Sequence, residues 1–134
     1  MDSSLFLLII LGIAFLYCYC AESFAPRDPV LNELKEQLGE LHPKFKNVEL
    51  YVGDKSYTIN KKRVYICLKD EKGRYYSRNM LCYVILHEYA HMLCDEIGHT
   101  EKFGQVFQKL LKQAAERGLY NPNIPPVSDY CGHD

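Results

Sequence analysis

The sequence predicts an α+β domain, a small and mostly antiparallel sheet packed on about three helices, preceded by an N-terminal transmembrane helix. Three observations predict it. An uncharged apolar run opens the chain, short strand signals punctuated by turn residues occupy its middle, and stretches with apolar residues at helical spacing flank them. The 134 residues suffice for one domain with a modest core. The 11 tyrosines and the lack of tryptophan suit β-structure with amphipathic aromatic packing.

Leu5 to Ala21 carries no charge over 17 residues, just long enough for a membrane helix. Residues 1–21 therefore read as a retained single-pass membrane anchor. No Lys or Arg precedes the run, which weakens the alternative of a secreted protein cleaved near Cys20. The charges that follow, Glu22, Arg27 and Asp28, are mixed, with a faint preference for a cytoplasmic domain. Residues 22–47 form a linker and an amphipathic helix. Asp28-Pro29 supplies an N-cap and an N1 proline, and Val30, Leu31, Leu34, Leu38 and Leu41 recur at helical spacing over 29–41. His42-Pro43 ends that helix, with His42 as a capping or surface residue.

Strand signals follow at 48–52, 56–59 and 64–68, separated by the turns Gly53-Asp54 and Asn60-Lys61-Lys62. A further turn at 70–73 leads into 74–76, which extends a hairpin. Lys61-Lys62-Arg63 reads as a solvated turn. Net charge is −1, and a balanced surface argues against general nucleic-acid binding.

Asn79 suits the N-cap of the next helix, which extends to about Glu96. Its first part, Met80 to Leu86, is apolar throughout, as in a buried helix. It runs into His87-Glu88-Tyr89-Ala90-His91. A helix turns about 100° per residue, so His87 and His91 lie about 40° apart and one turn from each other. Both imidazoles then reach one metal, and Glu88 on a neighbouring face reaches a water bound there. Two histidines and a glutamate at the end of a buried helix are costly unless paired or metal-bound. Zinc is the metal expected: it lowers a bound water's pKa to about 7, and a nearby carboxylate can take the proton.

Such a site needs a third protein ligand and an open fourth position. Cys94, Asp95, His99 and His133 are the candidates. A straight helix carries Cys94 and Asp95 about 10 Å along its axis from His87, too far for the same metal. Gly98 breaks the helix, Thr100 suits the next N-cap, and His99 lies at the corner between them, which favours it. Asp95 suits the role of orienting a ligand imidazole. The following helix runs over 101–117. Its apolar stripe from Phe103 to Ala115 reads as core packing, and Gly118 stops it. The proline-rich stretch 121–126 is irregular. No CxxC pair suggests a zinc ribbon, and Cys67, Cys82 and Cys94, all in apolar runs, read by default as buried free thiols, with a disulfide as the alternative in an oxidising compartment.

His87-Glu88-Tyr89-Ala90-His91, then His99-Thr100-Glu101-Lys102-Phe103, resembles the core of the WLM metallopeptidases, relatives of the SprT-like proteases within the HExxH zincins. Their pattern has a third histidine shortly after the helix and a phenylalanine four residues beyond it. The resemblance covers roughly Val48 to Tyr120 and implies a zincin-like metallopeptidase domain, placed at 48–134. It implies His87, His91 and His99 as zinc ligands and Glu88 as the catalytic base. The family's nuclear substrates are not carried over.

The expected function is therefore that of a membrane-anchored, zinc-dependent metalloprotease. Its partners are a protein or peptide substrate, bound as an added strand at a sheet edge, and a membrane through the N-terminal helix. Tyr120 and Tyr130 are candidates for a second electrophile, although both read first as surface tyrosines. The alternatives are a catalytically inactive zinc-binding membrane or structural protein, and a peptide-binding module stiffened by zinc with Cys131 or His133 as fourth ligand.

Overall fold

The computed structural model describes residues 2–23 and 28–132. The elements in order are α1 (Ser3–Ser23), α2 (Pro29–Gly39), a 3-10 turn (Pro43–Asn47), β1 (Glu49–Val52), β2 (Tyr57–Ile59), β3 (Arg63–Ile66), α3 (Arg78–Leu93), α4 (Glu101–Glu116) and a final turn (Tyr130–Gly132). Among the described residues the architecture is α+β, with four α-helices and a three-stranded sheet.

The N-terminal expectation is corrected. The first segment is helical and its side chains are exposed from Asp2 to Tyr19, yet among the described residues no helix is long and apolar enough to cross a membrane.

Asp28 caps α2 as its sequence suggests, its carboxylate accepting from the backbone N–H groups of Val30 (2.9 Å) and Leu31 (3.1 Å). Leu31, Leu34 and Leu38 turn inward from that start. The helix stops at Gly39, two residues early, and the His42 imidazole caps the 3-10 turn by accepting from Lys44 N–H at 3.1 Å. That turn buries Phe45 against Tyr89 of α3, ring centroids 4.3 Å apart.

The sheet is mixed, which corrects the mostly antiparallel expectation. Its order is β1-β3-β2, with β2 antiparallel and β1 parallel to β3. The β2–β3 hairpin closes through Asn60 and Lys61, both left-handed (φ 53° and 54°), the backbone of a type I′ turn. β3 is the most apolar strand and takes the centre, with Val64 and Ile66 fully buried. The segment from Gly53 to Ser56 therefore carries the chain across the end of β3. Gly53 donates to Ile66 C=O at 3.0 Å, and a Cβ there would meet Lys55 O and Tyr65 Cβ at 3.1 Å, so a larger residue would push the crossing off β3. Side chains alternate along a strand. Tyr51, Tyr65 and Tyr57 stack in register on one face, and Val64 and Ile66 enter the core beneath it.

Ser77 and not Asn79 caps α3, its hydroxyl accepting from Met80 N–H at 3.1 Å. Asn79 instead exchanges two hydrogen bonds with the backbone of Asn121. The helix ends at Leu93 and Cys94 is extended, three residues short of the expected limit at Glu96. Thr100 caps α4 as expected, accepting from Phe103 N–H. α4 packs along α3 through Phe103, Phe107, Leu110 and Leu111. Gly118 (φ +72°) terminates it, with the N–H groups of Gly118 and Leu119 closing onto Ala115 and Ala114 carbonyls.

The free-thiol reading of Cys67 is also corrected, because Cys67 and Cys131 form a disulfide across a sequence separation of 64. Cys82 and Cys94 are free and buried. Next to the bridge, Cys131 N–H donates to the Tyr76 hydroxyl at 2.8 Å. The C-terminal segment is thereby fastened beside the end of β3.

Candidate metal centre

The last turns of α3 and the corner before α4 build the site. His87 and His91 project from one face of α3, and the chain reverses through Gly98 (φ +86°) to return His99 to them. One ligand nitrogen from each of His87, His91 and His99 lies within 4.8 Å of the others. This is the one such cluster of His, Cys, Asp or Glu among the described residues, and it could hold a metal ion. The three ring centroids are 5.0–5.1 Å apart. Phe103 backs them, stacked on His91 at 4.2 Å, and Phe107 meets His87 edge-on. The α4 stripe expected to be core packing alone thus also props the imidazoles. Burial first, and then the neighbouring His87, hold His91 below the ordinary imidazole pKa, which favours the neutral, ligating form.

Among the described residues Glu88 is the one buried charged side chain, 7% exposed. Its Oε2 accepts from the Thr58 hydroxyl at 2.6 Å, and its Oε1 lies 3.7 Å from His87 Nδ1. Burial pushes its carboxyl up, but the His87 and Thr58 contacts outweigh burial and leave it below its ordinary value. The carboxylate is therefore ionised at neutral pH and held at two points. Thr58 reaches it because β2 is an edge strand whose alternation turns Thr58 inward while Tyr57 and Ile59 face out.

Two clefts meet at this group and share Ser56, His87, Glu88 and His99. One, about 550 Å³, lies between β2 and the α3–α4 corner, with Thr58, Lys61 and Ile97 on its walls. The other, about 380 Å³, opens on the far side between Met80, Tyr83 and Val84 of α3 and Val127 to Tyr130 of the C-terminal segment.

The sequence-predicted His87, Glu88, His91 and His99 come together. Cys94 is buried at the end of α3 outside the histidine cluster. Asp95 is exposed and pairs with Lys102 at 2.6 Å, so its expected role in orienting an imidazole is corrected. His133 lies outside the described residues. Tyr120 and Tyr130 are buried, not surface residues. Tyr120 packs toward Tyr83 and lines neither of the clefts at the histidines. Tyr130 donates its hydroxyl proton to Cys67 C=O and shares a 2.7 Å hydrogen bond with Ser56 Oγ, which occupies the group proposed as an electrophile. Sequence reasoning missed Thr58 and Ser56, which touch the site across the sheet and carry no local signal of it.

Similarity is found to three viral proteins. Uncharacterized protein 136R of Invertebrate iridescent virus 6 is 49% identical over 87 residues, covering 63% of this chain and 49% of that protein. Uncharacterized protein 042R of Invertebrate iridescent virus 3 is 46% identical over 88 residues, covering 65% and 55%. Uncharacterized protein R325 of Acanthamoeba polyphaga mimivirus is 33% identical over 110 residues, covering 75% and 55%. The chain spans about half the length of the curated relatives it matches. No protein-family model matches the chain, and no solved structure matches it.

Proposed function

We propose that this chain is a zinc metallopeptidase domain that hydrolyses peptide bonds, with His87, His91 and His99 as ligands and Glu88 as general base. The donor set fits zinc. Tetrahedral zinc with nitrogen at about 2.0–2.1 Å separates its ligand atoms by roughly 3.4 Å. Nitrogens already within 4.8 Å of one another reach that spacing by small side-chain rotations. Cys131 is spent in the disulfide, so it is not available as the fourth ligand of a closed structural site.

Bound zinc would acidify a water and polarise the scissile carbonyl. The protein's own groups supply the rest. Glu88, ionised and fixed by Thr58, is the acceptor for the water's proton. Phe103 holds the His91 ring in place and keeps water from its face. The free edge of β2 beside the larger cleft offers unpaired backbone groups to an extended peptide.

The observation that carries the proposal is the buried Glu88 carboxylate beside three convergent imidazoles, a costly arrangement unless it serves chemistry. The test is metal analysis together with casein and peptide hydrolysis by the purified protein and by Glu88→Gln. The expected result is one zinc per chain in both, with hydrolysis lowered by about 10²-fold or more in the variant. Equal hydrolysis by the two would remove Glu88 from the role of base.

A further inference from the structure

The smaller cleft is a pocket whose two walls differ in origin. Met80, Tyr83 and Val84 come from α3, one and two turns before His87. The opposite wall, Val127 to Tyr130, comes from an irregular segment. That wall is nevertheless fastened at several points. Val127 N–H donates to Met80 Sδ at 3.3 Å, and Tyr130 bonds Ser56 Oγ and Cys67 C=O. Ser56 Oγ in turn accepts from Cys67 N–H at 3.1 Å, which closes a ring of hydrogen bonds through Tyr130. One residue further on, Cys131 is bonded to Cys67. A segment without secondary structure is otherwise costly to hold in one conformation. Here the fastening falls where the wall faces the site.

We propose that this pocket is the specificity subsite of the domain. It receives a large apolar side chain of a polypeptide next to the bond held at Glu88, and the disulfide-anchored segment 127–131 is its selecting wall. The proposal rests on the peptidase reading for the identity of the ligand. Its volume of about 380 Å³ exceeds that of a single large side chain, and its walls of methionine, tyrosine and valine favour apolar groups. Continuity with the larger cleft through Ser56, Glu88 and His99 lets one extended peptide lie along β2 and place a side chain in the pocket. Val127 is the residue through which the wall meets that side chain, because it stands at the pocket's lip and is 43% exposed.

The experiment uses the zinc-loaded full chain carrying Glu88→Gln, so that peptides bind without turnover. A set of fluorescent peptides identical except for one position, filled by Phe, Leu, Ala or Asp, is titrated by anisotropy. The Phe and Leu peptides should bind roughly 10-fold or more tighter than Ala, and Asp should bind weakest. Adding Val127→Arg should reverse the order of Phe and Asp. Adding Cys131→Ser should flatten the series while zinc content stays at one per chain. Equal binding across the series in the parent would overturn the proposal, as would a series that neither added change alters. Failure of the peptidase reading has a different signature: the series is graded as described, but the chain with Glu88 intact cleaves none of the peptides. If Cys131→Ser unfolds the chain, Val127→Arg decides alone, since its side chain is exposed and its substitution leaves the core untouched.

Discussion

Replacing Thr58 by valine removes one hydroxyl and keeps the side chain's shape. The strand loses nothing by it, because valine is at least as well suited to a sheet as threonine. The lost contact is the 2.6 Å hydrogen bond to Glu88 Oε2, and Glu88 is only 7% exposed, so water cannot fully replace the donor. A hydrogen bond to a charged, buried partner contributes about 1.5–3 kcal/mol. Urea unfolding of the zinc-free protein should show a loss of that size. The same change should cost activity. The carboxylate keeps only the His87 contact at 3.7 Å and is free to turn from its place beside the histidines. If about 1.4 kcal/mol of the loss is felt when the proton moves, kcat falls about 10-fold. KM should hold, because valine fills the same space in the cleft wall and leaves the backbone edge of β2 unchanged, and zinc affinity should hold because the three imidazoles are untouched. Thr58→Ser keeps the hydroxyl and should restore both stability and kcat. The reasoning is refuted if Thr58→Val is as stable and active as the parent, or if serine behaves like valine, since the methyl group would then be what matters.

Three other changes probe separate parts of the structure. His99→Ala removes one of three ligands, and competition with a chromogenic chelator should show zinc affinity falling by more than roughly 100-fold, the upper range for loss of an outer hydrogen-bond partner. Breaking the Cys67–Cys131 bridge opens a 64-residue loop, so Cys131→Ser should lose up to about 4 kcal/mol in urea unfolding, and an unchanged midpoint would mean that the bridge constrains little. Burial pushes the Cys82 thiol up to about 12, so it stays protonated and should not react with a disulfide reagent at pH 8 until the chain is unfolded.

What the sequence discloses about this site is local. His87, Glu88 and His91 fall within two turns of one helix, Gly98 supplies a left-handed residue where the chain must reverse, and Thr100 caps the helix that follows. Each of these is fixed by neighbours within four residues, so spacing alone places them. The features it conceals are those set by distant partners. Thr58 meets Glu88 across 30 residues, and nothing in Tyr57-Thr58-Ile59 marks one member as a partner for a carboxylate. The parallel β1–β3 pairing depends on which strand is apolar enough to take the centre, a competition that short strand signals read one by one do not settle. The early end of α2 at Gly39 and the cap at Ser77 are boundary effects within the reach of alternative side chains.

The same division separates the parts of the proposed function. The metal ligands and the base are carried by α3 and the corner before α4, a unit whose geometry is decided by helix periodicity and one glycine. The walls that a substrate would touch are assembled from elsewhere, with Thr58 and Ser56 from the sheet and Val127 and Tyr130 from a segment tied down by a disulfide. Changes in the wall segment can therefore alter what binds without moving the imidazoles, since no residue between 127 and 131 belongs to the histidine cluster. Changes in α3 cannot be so selective. Tyr83 and Val84 line the pocket from the helix that carries His87, and the α4 residue that braces Tyr83, Phe107, also meets His87 edge-on. Selectivity and catalysis are coupled on the helical side of the cleft and separable on the disulfide side, so variation of specificity at constant chemistry belongs to the C-terminal wall.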